Sequence, residues 1–499
     1  MSLRLSPIEA EGGRLAPLLA VGLLGIASVP LAGSLETVSP RLLLVGVAGL
    51  AALAAVVLAG LLRPVLLALF VVALTYNRQY YDFDWLHGDL GGRGLYWCPA
   101  DVCLVGLLLL WPIERALRLP APPRPTRGGP VLWLLPLIAV GLLSAASSTE
   151  PLGSTVEIVR YLKLALLLLY LQYNLDARGL TIIVAALAAV ILLQTPISVL
   201  QAAFASGQNG LSQIFQSSEP AELARRAAGT LGHPNYLAPY LLLITPPFIA
   251  VALGLRGSWI GRAAALVALS GTLTICLTQS RGPIALLLVT TLVLIALMTA
   301  RRALRALRAV GLIVAGAVLL VAVVAPLAPA IEKRLSGDFG ASVDFRAAYN
   351  DAATRMWESS PILGVGPNNF GLEIRHYSPD LYVLMALDAL SSNESRNKVH
   401  LRSTAPVHNV YLLVLSELGL LGLIGFVLFL LRGLVLAWRA SAASSQVTGL
   451  FALGLFCGII AEYVQQLIDY SLLWDPLLFT FTLLMGVMHA IVATQEAHP

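Results

Sequence analysis

The stretch "PVHNVYLLVLSELGLLG", residues 406–422, decides the class of this chain. A polar segment ends at His408 and Asn409, and an apolar run then continues to position 431. As a helix that run is long enough to cross a hydrocarbon core of ~30 Å. A titratable imidazole at such a boundary, and a glutamate, Glu417, inside the run, are costly placements that usually serve a purpose.

The rest of the sequence repeats the pattern. Of 499 residues, 58% are hydrophobic and 12% charged, with a mean hydropathy of +0.82, well beyond a soluble globular chain. Span-like runs fall near 15–33, 41–62, 64–76, 99–113, 130–147, 157–174, 180–203, 234–255, 261–279, 283–299, 309–326, 408–431, 446–465 and 476–494. The third and fourth are short enough to be tilted pieces or one re-entrant pair. The expected fold is therefore an all-α polytopic membrane protein with about 12–14 transmembrane helices. It divides into N-terminal helices (1–179), central helices (180–326), one large loop (327–407) and C-terminal helices (408–499).

Charge sets the expected orientation. Nearly all the basic residues are arginine, and they crowd alternate loops, as at Arg115, Arg118, Arg124 and Arg127, and again at Arg301, Arg302, Arg305 and Arg308. The positive-inside rule makes that side cytoplasmic and places both termini there. Arginines distributed this way mark topology and form no single basic face, which argues against nucleic acid as a partner. The first apolar run is span-length and lacks a clear small-residue cleavage pattern, so no cleavable signal is expected. Cys98, Cys103, Cys276 and Cys457 are scattered without zinc spacing; Cys98 and Cys103 either meet near the outer face or are plain apolar residues. The Pro/Arg-rich "RLPAPPRPTRGG" reads as a flexible cytoplasmic linker.

By the same parity the 327–407 loop lies on the extracytoplasmic side, with smaller polar loops near 77–98 and 204–233. A long ordered loop in a compact protein is usually functional. Within it "VDFRAAYNDAATRMWESSP" (343–361) has helical spacing, with Val343, Ala347 and Ala353 among its apolar positions, and "ILGVGPNNFG" supplies a Gly/Pro turn. Boundary charges gather on this side too. Arg281 sits in the very tight turn "TQSRGP" (278–283), where it has little freedom. Arg225 and Arg226, ahead of His233 and Asn235, are either solvated loop cations or substrate contacts; His233 is open to a helix-start role. Arg160 and Lys163 are open to snorkelling toward headgroups.

Together these residues resemble the O-antigen ligase family, which is related to O-antigen polymerases and bacterial protein O-oligosaccharyltransferases. The resemblance rests on His408-Asn409, nine residues, then Gly419-Leu420-Leu421-Gly422. It also rests on "GTLGHPNYLA" (229–238), "SRGP" (280–283), and "PILGVGPNNF" (361–370) preceded by Arg346. It covers roughly residues 180–435. It implies a GT-C-like membrane glycosyltransferase of the bacterial inner membrane, its site facing the periplasm. Such an enzyme moves a glycan from an undecaprenyl-pyrophosphate carrier to an acceptor hydroxyl such as that of lipid A-core. It also implies arginine clamps for the pyrophosphate, whose oxygens suit a planar, permanently charged guanidinium. Arg281 matches the family's arginine at the tight outer turn, and Arg346 the one in the large loop. The aromatic usual four residues after the latter is Asn350 here, which keeps Arg355 in contention. His408 is the expected general base toward the acceptor hydroxyl. Asn409 is expected to orient a sugar or a loop backbone, and Glu417 to pack or line the substrate pocket. No cofactor is called for, and the transfer is expected to be metal-independent. A transporter is the alternative class, but no internal repeat is visible and the candidate residues cluster at the outer face.

Overall fold

The computed structural model describes residues 60–76, 97–116, 128–203, 226–301, 339–381 and 407–497, with positions 311 and 383 in isolation. The expected spans 15–33 and 309–326, most of 41–62, and Arg225 lie outside the described residues. Within them the chain is all-α, and seven helical stretches, counting Pro234–Gly254 as one, are long and apolar enough to cross a membrane.

In chain order the helices are α1 Leu62–Ala73, α2 Pro99–Ala116, α3 Leu135–Ala146, α4 Pro151–Asn174, α5 Ala177–Ala203, α6 Pro234–Ile244, α7 Pro246–Gly254, α8 Trp259–Leu277, α9 Arg281–Ala300, α10 Phe339–Ser359, α11 Phe370–Tyr377, α12 Val410–Ala440, α13 Gln446–Gln465 and α14 Asp475–Ala497. The expected span 234–255 is thus two helices meeting at Thr245. Pro246 and Pro247 follow, and a proline ring at 246 has no N–H to continue the helical ladder.

The last three long helices organise the bundle. α12 packs on α3, α10, α13 and α14; α13 packs on α6, α7 and α9; α14 packs on α4. α8 packs on α7, and α5 packs in turn on α8 and α1. Because lipid tails are as apolar as leucine, hydrophobicity alone does not pull membrane helices together, and close backbone approach must do so. α13 provides it at Gly454 and Gly458, where a Cβ would stand 2.4 Å from the Pro246 carbonyl oxygen and 2.7 Å from that of Leu243. The innermost helix is α14, whose apolar window is 83% buried, whereas α9, at 33%, lies on the rim.

The polar residues at the helix ends fall into two groups. At one end Arg301 donates to Ser441 Oγ (2.9 Å) and lies over Trp438, Arg439 pairs with Glu496, and Arg63 pairs with Glu114. His408, His233 and Arg281 stand at the other end, at the starts of α12, α6 and α9. Arg160 and Lys163 do not snorkel. Lys163 reaches Asp101 on α2 (2.9 Å), and Arg160 turns inward to Glu157 and to Asp475 (3.3 Å), because carboxylates on the packed faces offer partners that the lipid side lacks. All four cysteines are free thiols, so Cys98 and Cys103 form no bridge.

Candidate active site

The junction quoted at the outset is a helix start. Asn409 caps α12, its Oδ1 accepting from the backbone N–H of Tyr411 (3.0 Å) and Leu412 (3.2 Å). That oxygen serves the chain's own backbone. Capping by Asn409 leaves His408 outside the helix, half-buried, with its ring edge-on to Tyr470 at 5.4 Å between centroids. The backbone N–H of Val410 donates to the carbonyls of Gln466 (3.1 Å) and Asp469 (3.0 Å), which joins this start to the turn after α13. No side-chain hydrogen bond engages His408 among the described residues. Burial, reinforced by the positive charge of Arg346, pushes its pKa down to about 4. The imidazole is thus neutral at physiological pH with its ring nitrogens uncommitted.

A second histidine stands close by. His233 caps α6, its Nδ1 accepting from the Asn235 N–H at 3.1 Å. A neutral ring that accepts at Nδ1 carries its proton at Nε2, so His233 is a donor. Burial, then the charges of Arg226 and His408, hold its pKa down at about 4 as well. Arg226, a solvated cation on one reading of the sequence, is 8% exposed. Its guanidinium donates to the Thr278 carbonyl (2.8 Å), Asn235 Oδ1 (2.8 Å) and Ser280 Oγ (2.9 Å). It is a strut that ties the "GTLGHPNY" segment to the turn carrying Arg281.

In that turn Gln279 adopts a left-handed φ of 54°, and Arg281 follows as the exposed first residue of α9. A Cβ on Gly282 would lie 2.6 Å from Gln465 Oε1. Gln465 in turn donates to Asp469 Oδ2 (3.3 Å). The start of α9 therefore abuts the end of α13, beside His408. Arg346 and Arg355 part company here. Arg346, exposed on α10, acts electrostatically on both His408 and Asp469. Arg355, also exposed, pairs with Asp351 one turn earlier on α10 (2.7 Å) and reaches the Tyr377 carbonyl (3.4 Å). Of α10's apolar positions Ala353 is buried as expected, together with Tyr349, Ala352 and Met356. Ala347 is exposed, and the side chain of Val343 lies outside the described residues.

Glu417 belongs to a different feature. α12 is broken at Gly419 (φ 64°, ψ −167°), and the loop 361–369 fits into the break. Val365 N–H donates to the Ser416 carbonyl (3.0 Å) and Gly366 N–H to that of Glu417 (2.9 Å). In return Leu420 N–H donates to the Pro361 carbonyl (2.8 Å) and Leu421 N–H to that of Ile362 (3.3 Å). The backbone groups freed by the break are thus paired by the loop. Gly364 and Gly419 make the approach possible, since a Cβ on either would sit 2.3 Å from backbone carbon of the other segment. The Glu417 carboxylate accepts from Phe370 N–H at the start of α11 (3.1 Å). The notch joins α10, which carries Arg346, to α12, whose start adjoins His408.

Asp469 and Tyr470 were missed from the sequence. Burial raises the Asp469 carboxyl above its ordinary range, against hydrogen bonds from Tyr470 and Gln465 and the pull of Arg346. The signal available was the polar break "YVQQLIDYSLLWDP" (463–476), which threading puts at the same membrane face as His408.

The family model described as O-antigen ligase matches residues 264–427. The match takes in Arg281, Arg346, the 361–370 turn and the His408 motif; "GTLGHPNYLA" lies outside it. It supports the resemblance over the stretch it covers and points to a glycosyltransferase-like membrane enzyme. No curated protein matches the chain.

Proposed function

We propose that this O-antigen ligase family chain transfers a glycan from undecaprenyl pyrophosphate to an acceptor hydroxyl, such as one on lipid A-core, at the periplasmic face of the inner membrane. The observation that carries the reading is a neutral, half-buried His408 with uncommitted ring nitrogens, facing Arg346 where the bundle meets its polar face. His408 takes the acceptor's proton as the hydroxyl oxygen attacks the anomeric carbon. The bond from that carbon to the phosphate oxygen breaks, and its electron pair leaves on the pyrophosphate. Arg281 and Arg346, both exposed toward this face, hold the growing negative charge, so that no divalent cation is needed. His233 donates from Nε2 to a sugar or phosphate oxygen, while Arg226 and Asn235 hold its segment in place. The arginine-rich opposite end faces the cytoplasm by the positive-inside rule, with both chain termini on that side. Among the family's activities we favour the ligase over polymerase or protein glycosylation on the His408 motif.

The test is transfer of an undecaprenyl-pyrophosphate-linked glycan to lipid A-core by purified protein in nanodiscs, with EDTA present. His408→Ala should lower kcat by the ~10²–10⁴-fold typical of a lost general base while donor binding persists. Near-normal transfer by His408→Ala would sink the base. Wild-type protein inert toward every lipid-linked donor would move the reading toward transport.

A further inference from the structure

The segment between α13 and α14 presses aromatic rings against the histidines. Tyr470 meets the edge of His408, and its hydroxyl lies 3.3 Å from that of Tyr236. Trp474 stacks on Tyr236 with centroids 4.2 Å apart, and Tyr236 in turn lies 5.1 Å from His233. Part of this turn is held from α13, where Gln466 donates to Ser471 Oγ (2.9 Å) and accepts from Leu472 N–H (3.0 Å).

The rest is held by a buried ion from another helix. Arg160 of α4 is 6% exposed. Its guanidinium donates to the Leu473 carbonyl and to Asp475 Oδ1 (3.3 Å), and it pairs with Glu157 one turn earlier. A charge kept inside a membrane bundle is costly, and an arginine at this level has the simpler course of snorkelling outward. Arg160 is turned inward, onto the turn that carries Tyr470 and Trp474.

We infer that Arg160 is a positioning residue for the transfer: it fixes the 470–475 turn and thereby seats Tyr470 against His408. The inference rests on His408 acting as the base. Its consequence is specific to that ring. With Arg160 gone the turn loosens, Tyr470 withdraws and water reaches the imidazole. The charged and titratable groups around His408 stay as they were: Arg346 from α10, Arg226 and His233 ahead of α6, and Asp469 in the turn itself. Loss of burial removes the largest influence holding His408 at about 4, so its pKa climbs toward the ordinary 6.5. A base whose pKa rises is protonated at higher pH, so the acid limb of kcat/KM moves upward.

The experiment compares wild type, Arg160→Gln, Arg160→Lys and Lys163→Gln in nanodiscs, following kcat, KM and the pH profile of kcat/KM with the same donor and acceptor. Arg160→Gln should lose about 10–100-fold in kcat, the scale of a misplaced reacting group, with KM little changed and the acid limb higher. Arg160→Lys, able to donate to Leu473 and pair with Asp475, should recover part of both. Lys163→Gln, whose partner is Asp101, should keep the wild-type limb. If Arg160→Gln does not fold, Asp475→Asn, which leaves the Leu473 contact, should show the same shift in milder form. Activity that falls only with the folded fraction, on an unmoved limb, overturns the inference. That result with His408→Ala inactive leaves the base standing, whereas an active His408→Ala removes the base itself.

Discussion

Replacing Gly419 by alanine tests the junction between the 361–369 loop and α12. Gly419 occupies φ 64°, ψ −167°, a conformation essentially reserved for glycine and worth ~1–3 kcal/mol of strain for another residue. The added Cβ would stand 2.3 Å from the Ile362 carbonyl carbon and oxygen and 2.5 Å from Leu363 N. These are backbone atoms, so no rotamer change relieves the overlap and the loop must move. Moving it breaks the reciprocal bonds of Val365, Gly366, Leu420 and Leu421, each with a net value of ~0.5–1.5 kcal/mol. Losing two of the four and adding the strain gives ~2–6 kcal/mol, about 30-fold or more in the docked population of the loop. Gly425→Ala is the control, since on the same helix its Cβ would meet nothing nearer than 3.4 Å. Gly419→Ala should insert and keep its helical circular dichroism, yet transfer at least tenfold more slowly and expose the 361–369 loop to protease. A Gly419→Ala protein as active and as protease-resistant as Gly425→Ala would refute the notch as the link between Arg346 and His408.

Three further outcomes follow from the same geometry. Because His408 in the free enzyme is held at about 4, its base form is lost only as pH falls through that value. The kcat/KM profile should therefore stay flat down to about pH 5, and an acid limb near the ordinary 6.5 would contradict the burial of His408. Arg346→Lys should lose most transfer despite keeping its charge, since an ammonium cannot reproduce a bidentate guanidinium contact; Arg355→Lys, paired with Asp351, should transfer nearly as wild type, and the reverse order would move the clamp to Arg355. In a background without Cys98, Cys103, Cys276 and Cys457, a cysteine at Glu358 should react with an impermeant thiol reagent from the periplasm and one at Arg256 should not. The opposite labelling would put His408 on the cytoplasmic face.

The sequence by itself determined the class and the list of candidates. Apolar runs of membrane length can satisfy their backbone only as helices, so the element type at α5, α8, α9, α12 and α13 was legible from composition. His408, Arg281 and His233 stood out because polar residues at the ends of such runs are few, and Arg346 was marked by the family resemblance alone. What each of them does was decided by tertiary contacts. Asn409 and Arg226 carry the chemistry of sugar or phosphate contacts, yet one caps α12 and the other braces Asn235 and Ser280, which no local pattern distinguishes. Arg346 and Arg355 differ in their surroundings, the one acting on His408 and Asp469 and the other pairing with Asp351 on its own helix, which sequence spacing does not reveal. The Gly419 break was not legible because the apolar run resumes beyond it at membrane length; the break is stable only when a loop some fifty residues earlier supplies its hydrogen-bond partners. The inward turn of Arg160 was likewise not legible: Glu157 is local, but the second carboxylate that holds it, Asp475, lies more than 300 positions away. Periodicity and composition are local properties and are written along the chain, whereas the pairing of a buried polar group depends on what packing brings within about 3 Å of it.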